Sequence, residues 1–351
     1  MQLDNSGDFL HILRMKKKCW FAQTGCRLLL ACVFLSACPG PDPIPDLEPA
    51  DLGKDAAPED LPPPADLADG GGDMNYANYG FVAVGDTGKG NDGQKYVAHA
   101  IERICRTRGC AFVQLLGDNI YDSGVTSVTD PQWQTKFEIP YKNISVPFYA
   151  ALGNHDYGAN GAGTEFDKAK WEILYTASST KWRMPANTYS YSYGKVDYFV
   201  LDTNLMMFGR DMDKQQAAYD NWLANSKNET RVVFGHHPYK SNGPHGNAGS
   251  YDGVPLLGNH IKAFIEKNVC GKVRAYISGH DHSRQLLSEL CGGRTSLVVS
   301  GAGASATDLK GKNPTTCQYK SIGFAYVTVA LNTLTMEFMD VDDRVDCESR
   351  L

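Results

Sequence analysis

Residues 81–90 read FVAVGDTGKG, an unbroken apolar run that stops at Gly85-Asp86-Thr87-Gly88. A short apolar run closed by glycine marks a strand buried on both faces, and such strands belong to sheets covered by helices. The next segment, 93–108, carries Val97, Ala100, Ile101 and Ile104 on one face at helical spacing. From there the alternation repeats. Strands are predicted over 111–116, 148–152, 189–193, 198–201, 231–234, 273–277 and 296–299, and helices over 132–138, 165–175, 214–226 and 259–268. The stretch 324–340 reads as two antiparallel strands. This order predicts a layered α/β architecture.

The ending of the first strand recurs. Gly117-Asp118-Asn119-Ile120-Tyr121, Gly153-Asn154-His155-Asp156, Gly235-His236-His237-Pro238 and Gly279-His280-Asp281-His282 each follow a predicted strand. Glycine permits a sharp turn that aims the next side chain out of the strand end. Ligands of α/β sheets gather at the carboxyl ends of strands. A single Gly-Asp after a strand is usually only a turn, but five such endings with metal-capable side chains are not independent accidents. Of the eight histidines after residue 38, only His99 and His260 lie away from these endings, in predicted helices, and both read as structural. Oxygen and imidazole donors together suit iron, manganese or zinc, so a dinuclear metal site is expected.

The ordered set GD-x-G, GD-x-x-Y, GNH[DE], V-x-x-H and GH-x-H resembles that of the purple acid phosphatases, within the calcineurin-like metallophosphoesterases. It is most similar to the small, tartrate-resistant branch, which has similar text at GDNIYDSGV (117–125), ALGNHDY (151–157), GHHP (235–238), GHDH (279–282) and GFAYV (323–327). The resemblance spans roughly residues 78–340 and implies an α/β (α+β) four-layer sandwich, two mixed β-sheets flanked by helices. Carried over by position, it implies that Asp86, Tyr121 and His282 hold a ferric ion. Asn154, His236 and His280 would then hold a second ion, Fe(II), Zn(II) or Mn(II), with Asp118 bridging the two. Tyr121 discriminates, because a phenolate is a hard anionic donor suited to Fe(III) and the wider superfamily generally lacks it. His155 and His245 match the histidines expected to hold the phosphoryl group and protonate the leaving alcohol. His237 follows the ligand of V-x-x-H, and reads as a side chain behind the ligands or facing the phosphate.

The implied activity is that of an acid phosphatase, hydrolysing phosphate monoesters with a hydroxide generated at the dinuclear centre. Neither a Cys-x₅-Arg loop nor an Arg-His-Gly signature is present to form a phosphoenzyme. Small animal enzymes of this branch carry a long restraining loop after the strand ending in Leu-Asp-Thr. Here Asp202-Thr203-Asn204 leads quickly to the helix start at 213–216, so activity without proteolysis is expected. The Gly158–Gly163 stretch (GANGAG) reads as a flexible lip, and 126–143, 242–255 and 308–319 as loops that set specificity. Two other functions fit the same text. One is a Mn/Zn phosphodiesterase or nucleotide pyrophosphatase, and the other a non-catalytic metal- or ligand-binding surface lipoprotein.

The remainder of the chain reads differently. The formal net charge of −6 sits entirely in residues 1–75, with six basic and twelve acidic side chains, leaving 28 of each sign in 76–351. That balance is not basic enough overall to suggest nucleic acid. Arg14-Met15-Lys16-Lys17-Lys18, then an apolar run over 28–37, then Leu35-Ser36-Ala37-Cys38, follow the grammar of an export signal and resemble a bacterial lipobox. Residues 1–14 add nothing to that grammar, which leaves Met1 and Met15 both open as the start. The expectation is a signal over 1–38, a lipid on Cys38 anchoring the protein to a membrane in the periplasm or at the cell surface, and a Pro/Asp-rich tether over 39–76. The catalytic domain then occupies 77–346, a monomer acting on small phosphorylated substrates. Six cysteines remain in the folded part, and an oxidising compartment allows up to three disulfides. Fifteen pairings are open, of which Cys105–Cys110, Cys270–Cys291 and Cys317–Cys347 are the nearest in sequence.

Overall fold

In the computed structural model, residues 78–351 are described, apart from Asn332. The expected signal, Cys38 and the tether lie outside the described residues. The three apolar runs that opened the reading become β1 (Asn78–Val84), β2 (Val113–Leu116) and β3 (Phe148–Ala151). They lie side by side and parallel, with Val82 opposite Val113 and Val113 opposite Phe148. A two-residue strand, β4 (Trp182–Arg183), extends this sheet beyond β3. On its other side β12 (Gly323–Ala330), β13 (Thr333–Asp340) and β14 (Val345–Arg350) add antiparallel, giving the order β14-β13-β12-β1-β2-β3-β4.

A second sheet of seven strands is built from β5 (Tyr189–Tyr193), β6 (Val196–Val200), β7 (Thr230–Phe234), β8 (Ala275–Ser278), β9 (Arg284–Cys291), β10 (Thr295–Ser300) and β11 (Thr315–Tyr319). Its order is β11-β9-β10-β8-β7-β6-β5, and β6, β7, β8 and β10 run parallel. Period-2 alternation divides its side chains between two cores. Val232, Phe234, Ala275, Ile277 and Val298 join the core shared with the first sheet, whereas Val233, Tyr276, Leu297 and Val299 join a second core on the far face. Aromatic rings bridge the sheets, with the Phe81 and Phe234 centroids 6.2 Å apart and those of Phe112 and Tyr198 5.3 Å apart.

Helices cover both outer faces. Helix α1 (Asp92–Arg108) begins at Asn91, whose side chain accepts from the Gln94 N–H, and buries Val97, Ile101 and Ile104 with the first sheet. The shorter α2 (Ala169–Tyr175) packs Ile173 and Tyr175 into the same core. After β6 comes α3 (Thr203–Met207), and then α4 (Met212–Asn225) and α5 (Asn259–Phe264) place Tyr219, Trp222, Ile261 and Phe264 in the second core. The result is the sandwich of two mixed sheets with flanking helices.

Several details depart from the sequence reading. The helices expected over 132–138 and 259–268 end in wider π-helical turns, Gln134–Glu138 and Ile265–Val269. The supposed loop 308–319 ends in strand β11. Strands β4, β9, β11 and β14 carry little apolar alternation: β11 and β14 are half exposed, and β9 opens with buried Arg284 and Gln285. Three disulfides form, and they are the sequence-nearest set. Among the described residues no helix is long and apolar enough to cross a membrane.

Candidate metal centre

The five glycine-containing endings meet at one end of the sandwich, where the carboxyl ends of β1, β2 and β3 face those of β7 and β8. The first sheet delivers Asp86, Asp118 and Asn154, two to three residues past its strands, and the second delivers His236 and His280. The turns are only in part made by glycine, since of the five leading glycines Gly117 alone takes a left-handed conformation, with φ of 89°. Asp86, Asp118 and His280 themselves take left-handed backbone conformations, with φ of 60°, 53° and 68°. Such conformations are uncommon for residues bearing a Cβ and persist where surrounding structure holds them. Glycine supplies closeness. A Cβ on Gly153 would lie 2.2 Å from Asp118 Oδ1, so the two loops can approach only if that position is bare.

Two sets of donors share Asp118. On one side, Tyr121 Oη lies 3.0 Å from Asp86 Oδ1, 3.0 Å from His282 Nε2 and 2.9 Å from Asp118 Oδ2. On the other, His236 Nε2 lies 3.0 Å from Asn154 Oδ1, 3.1 Å from His280 Nδ1 and 3.4 Å from Asp118 Oδ1. One carboxylate oxygen of Asp118 thus faces each set. All seven side chains that the resemblance nominated are brought together, in the two groups it implied. His236 and Asp118 also cluster with Asp86, and His236 with His280 and His237, at ligand-atom separations within 4.8 Å.

Hydrogen bonds fix which atoms are free to bind. The Leu116 carbonyl, 2.9 Å away, can only accept, so His236 Nδ1 donates to it, and in the neutral ring Nε2 keeps its lone pair. The Asn154 amide donates to the Gly161 carbonyl at 2.8 Å, which turns Oδ1 toward His236. Two lone-pair atoms therefore face each other at 3.0 Å, an arrangement that a cation between them completes. The donor set fits a metal on this ground alone. His282 Nδ1 lies 3.0 Å from Ser305 Oγ, and Asp86 Oδ2 accepts the His280 N–H at 2.8 Å. Partners of this kind orient ligands.

The ionisation pattern is suited to the same role. Burial works against an ionised Asp86, but the hydrogen bond and charge of His282 outweigh it and hold the carboxyl below its usual range. Burial pushes His280 and His237 well below the ordinary imidazole range, so both are neutral. Burial, then the charges of Asp118 and Asp86, raise the Tyr121 phenol well above its usual range. A bound cation inverts that last preference.

The remaining nominated residues flank the cluster. His155 donates Nδ1–H to the Asp122 carbonyl at 2.7 Å, leaving Nε2 free at 4.0 Å from Asp118 Oδ2. His245 packs against His280, the ring centroids 4.2 Å apart and the planes tilted by 33°, with Nδ1 2.7 Å from Asp252 Oδ1. His237 is buried behind the ligands. Thr203 Oγ1 already accepts the His236 and His237 N–H groups, so its own proton goes to His237 Nδ1 at 2.9 Å. His99 and His260 sit exposed on α1 and α5. The Gly158–Gly163 segment is tied in rather than a free lip, since it holds the Asn154 amide and its Asn160 N–H donates to Ser123 Oγ at 2.8 Å.

Some supporting residues escaped the sequence reading. Asp281 stands between His280 and His282 in GHDH and accepts the His245 N–H at 2.9 Å, so its place in the motif was a usable signal. Ser305 had none.

Comparison with known proteins agrees with this geometry. The calcineurin-like phosphoesterase family matches residues 79–284. Tartrate-resistant acid phosphatase type 5 of Oryctolagus cuniculus is 27% identical over 318 residues, covering 77% of this chain and 90% of that protein. Purple acid phosphatase 7 of Arabidopsis thaliana is 29% identical over 248 residues, covering 64% and 70% respectively. Among solved structures, GAP50, the anchor in the inner membrane complex of Plasmodium, superposes with a TM-score of 0.64 at 19% identity, covering 78% of this chain and 89% of that one, a likeness of fold alone. The chain belongs to the calcineurin-like phosphoesterase family, and its relatives there include purple and tartrate-resistant acid phosphatases.

Proposed function

We propose that the protein is an acid phosphatase that hydrolyses phosphate monoesters at a dinuclear Fe(III)–M(II) centre, M being iron, zinc or manganese. The observation that carries this reading is Tyr121 Oη, placed within 3.0 Å of donor atoms of Asp86, His282 and Asp118. Asp86, Tyr121 and His282 would hold the ferric ion, Asn154, His236 and His280 the second, and Asp118 both. When bound, the ions supply Lewis acidity that acidifies a water and neutralises charge on the phosphoryl oxygens. The protein's own groups do the remainder. His155 keeps Nε2 available beside Asp118 and faces solvent, which suits a hydrogen bond to a phosphoryl oxygen. His245, partly exposed and paired with Asp252, is oriented to pass a proton to the leaving alcohol. The connection from β6 to α4 is short, which supports activity in the uncut chain. Export with a lipid on Cys38 belongs to the same proposal and rests on residues 14–38 alone.

Purified protein carrying two metal ions is expected to turn over p-nitrophenyl phosphate near pH 5 and to absorb visible light. Tyr121→Phe is expected to remove the band, and Asp118→Ala to remove both turnover and metal. A colourless wild type with two ions and greater activity on a phosphodiester would favour the Mn/Zn phosphodiesterase instead. Turnover at background with full metal would favour a binding lipoprotein.

A further inference from the structure

Lys89 lies three residues past Asp86, and its side chain reaches the candidate centre. The Lys89 N–H bonds to the Thr87 carbonyl at 2.9 Å, folding the chain back. Its ammonium then stands over the Tyr121 ring, 4.8 Å from the centroid. Among the described residues no carboxylate lies within ion-pair distance of it. Asp86 and Asp118 are already engaged, by Tyr121, by the His280 N–H and by the His155 N–H. The Lys89 ammonium is thus held against the half of the centre that contains the phenol.

An ammonium over an aromatic face is attracted to its electron density, and the attraction is stronger for a ring carrying negative charge. We propose that Lys89 is a positioning residue for Tyr121, a cation that stabilises the filled π orbitals of its ring when it serves as a metal-bound phenolate. It would thereby raise the energy of charge transfer from that ring to the ferric ion. The inference rests on the reading of Tyr121 as a ferric ligand. Lys89 stands over the ring, on the face where the donor π orbitals project. Charges and hydrogen bonds beyond the ligands commonly tune a metal in this way.

The test compares visible spectra of the metal-loaded wild type with those of Lys89→Gln, Lys89→Met and Lys89→Arg, each checked for two ions per chain by elemental analysis. The uncharged variants are expected to shift the band to longer wavelength, and Lys89→Arg to keep it near the wild-type position, because a guanidinium preserves the cation over the ring. Band positions unchanged in both uncharged variants at full metal content would overturn the proposal. So would an equal shift in Lys89→Arg, which would indicate lost packing and not lost charge. A wild type with no band at full metal content would overturn the ferric-phenolate reading itself, a separate result.

Discussion

Beneath the ligands, Asp156 and Glu172 bring two buried carboxyl groups to one amide. Asp156 accepts the Asn119, Ile120 and Gly153 N–H groups at 2.8, 3.0 and 2.8 Å, clipping the Asp118–Tyr121 loop to the Asn154 loop. Asn119 Nδ2 donates to both carboxyls at 3.1 Å. Burial, then the charges of Glu172 and Asp118, push Asp156 well above its usual range, and burial pushes Glu172 up to about 7 from an ordinary 4.5. The folded state therefore binds protons that the unfolded chain releases. For Glu172 this contribution is complete below the unfolded value and is lost as pH rises toward the folded one. Glu172→Gln is expected to flatten the stability profile between pH 4.5 and 7, removing a slope worth on the order of 3 kcal/mol, seen in urea melts of metal-free protein across that range. A variant whose midpoints track the wild type at every pH would refute it. The seven candidate donors were legible in sequence because the strand-end motifs, and the family resemblance they carry, named each of them. Glu172 was not, since it reaches the site from α2 with no local signature, and Lys89 acts through a ring far along the chain.

At the scale of elements, the strand ends place the candidate donors, and bare backbone keeps them close. Gly117 takes φ of +89°, and a Cβ there would meet His236 Nδ1 at 2.6 Å. Gly153 has no such turn to make, yet a Cβ there would meet Asp118 Oδ1 at 2.2 Å. Gly153→Ala is expected to leave the far-UV circular dichroism near wild type while displacing the shared carboxylate. Turnover should fall roughly 100-fold, as for an ångström-scale misplacement of a reacting group, and metal content should drop with it. Wild-type metal content and turnover together would show that the loops can separate without consequence. The core strands were readable because burial on both faces writes an unbroken apolar run. Edge strands are paired on one side only, so β11 (TTCQY) and β14 (VDCESR) carry polar side chains; β11 fell in a predicted loop and β14 had no predicted element.

Across the whole molecule those two unread edges hold each other. β11 closes one sheet and β14 the other, and Cys317–Cys347 joins them across 30 residues. Arg284, fully buried on β9, reaches Asp346 on β14 at 2.7 Å, and Tyr319 Oη donates to the Asp346 carbonyl at 2.6 Å. Removing the bridge with Cys317→Ser and Cys347→Ser together is expected to lower stability by about 3–4 kcal/mol from loop entropy alone, measured by urea unfolding. An unchanged midpoint would place the sheet-to-sheet restraint elsewhere. The two sheets also meet at their strand ends, where each set of donors draws on both: Asp86 and Tyr121 come from one sheet and His282 from the other, Asn154 from one and His236 and His280 from the other. Ions seated there would act as rivets. Neither sheet on its own carries the full set of donors for either ion, and the first sheet cannot be cut out as a continuous fragment, because β12 to β14 return to it after the second is complete. Colour in such a protein would report on more than its chemistry: it would be a gauge of whether the two sheets remain docked.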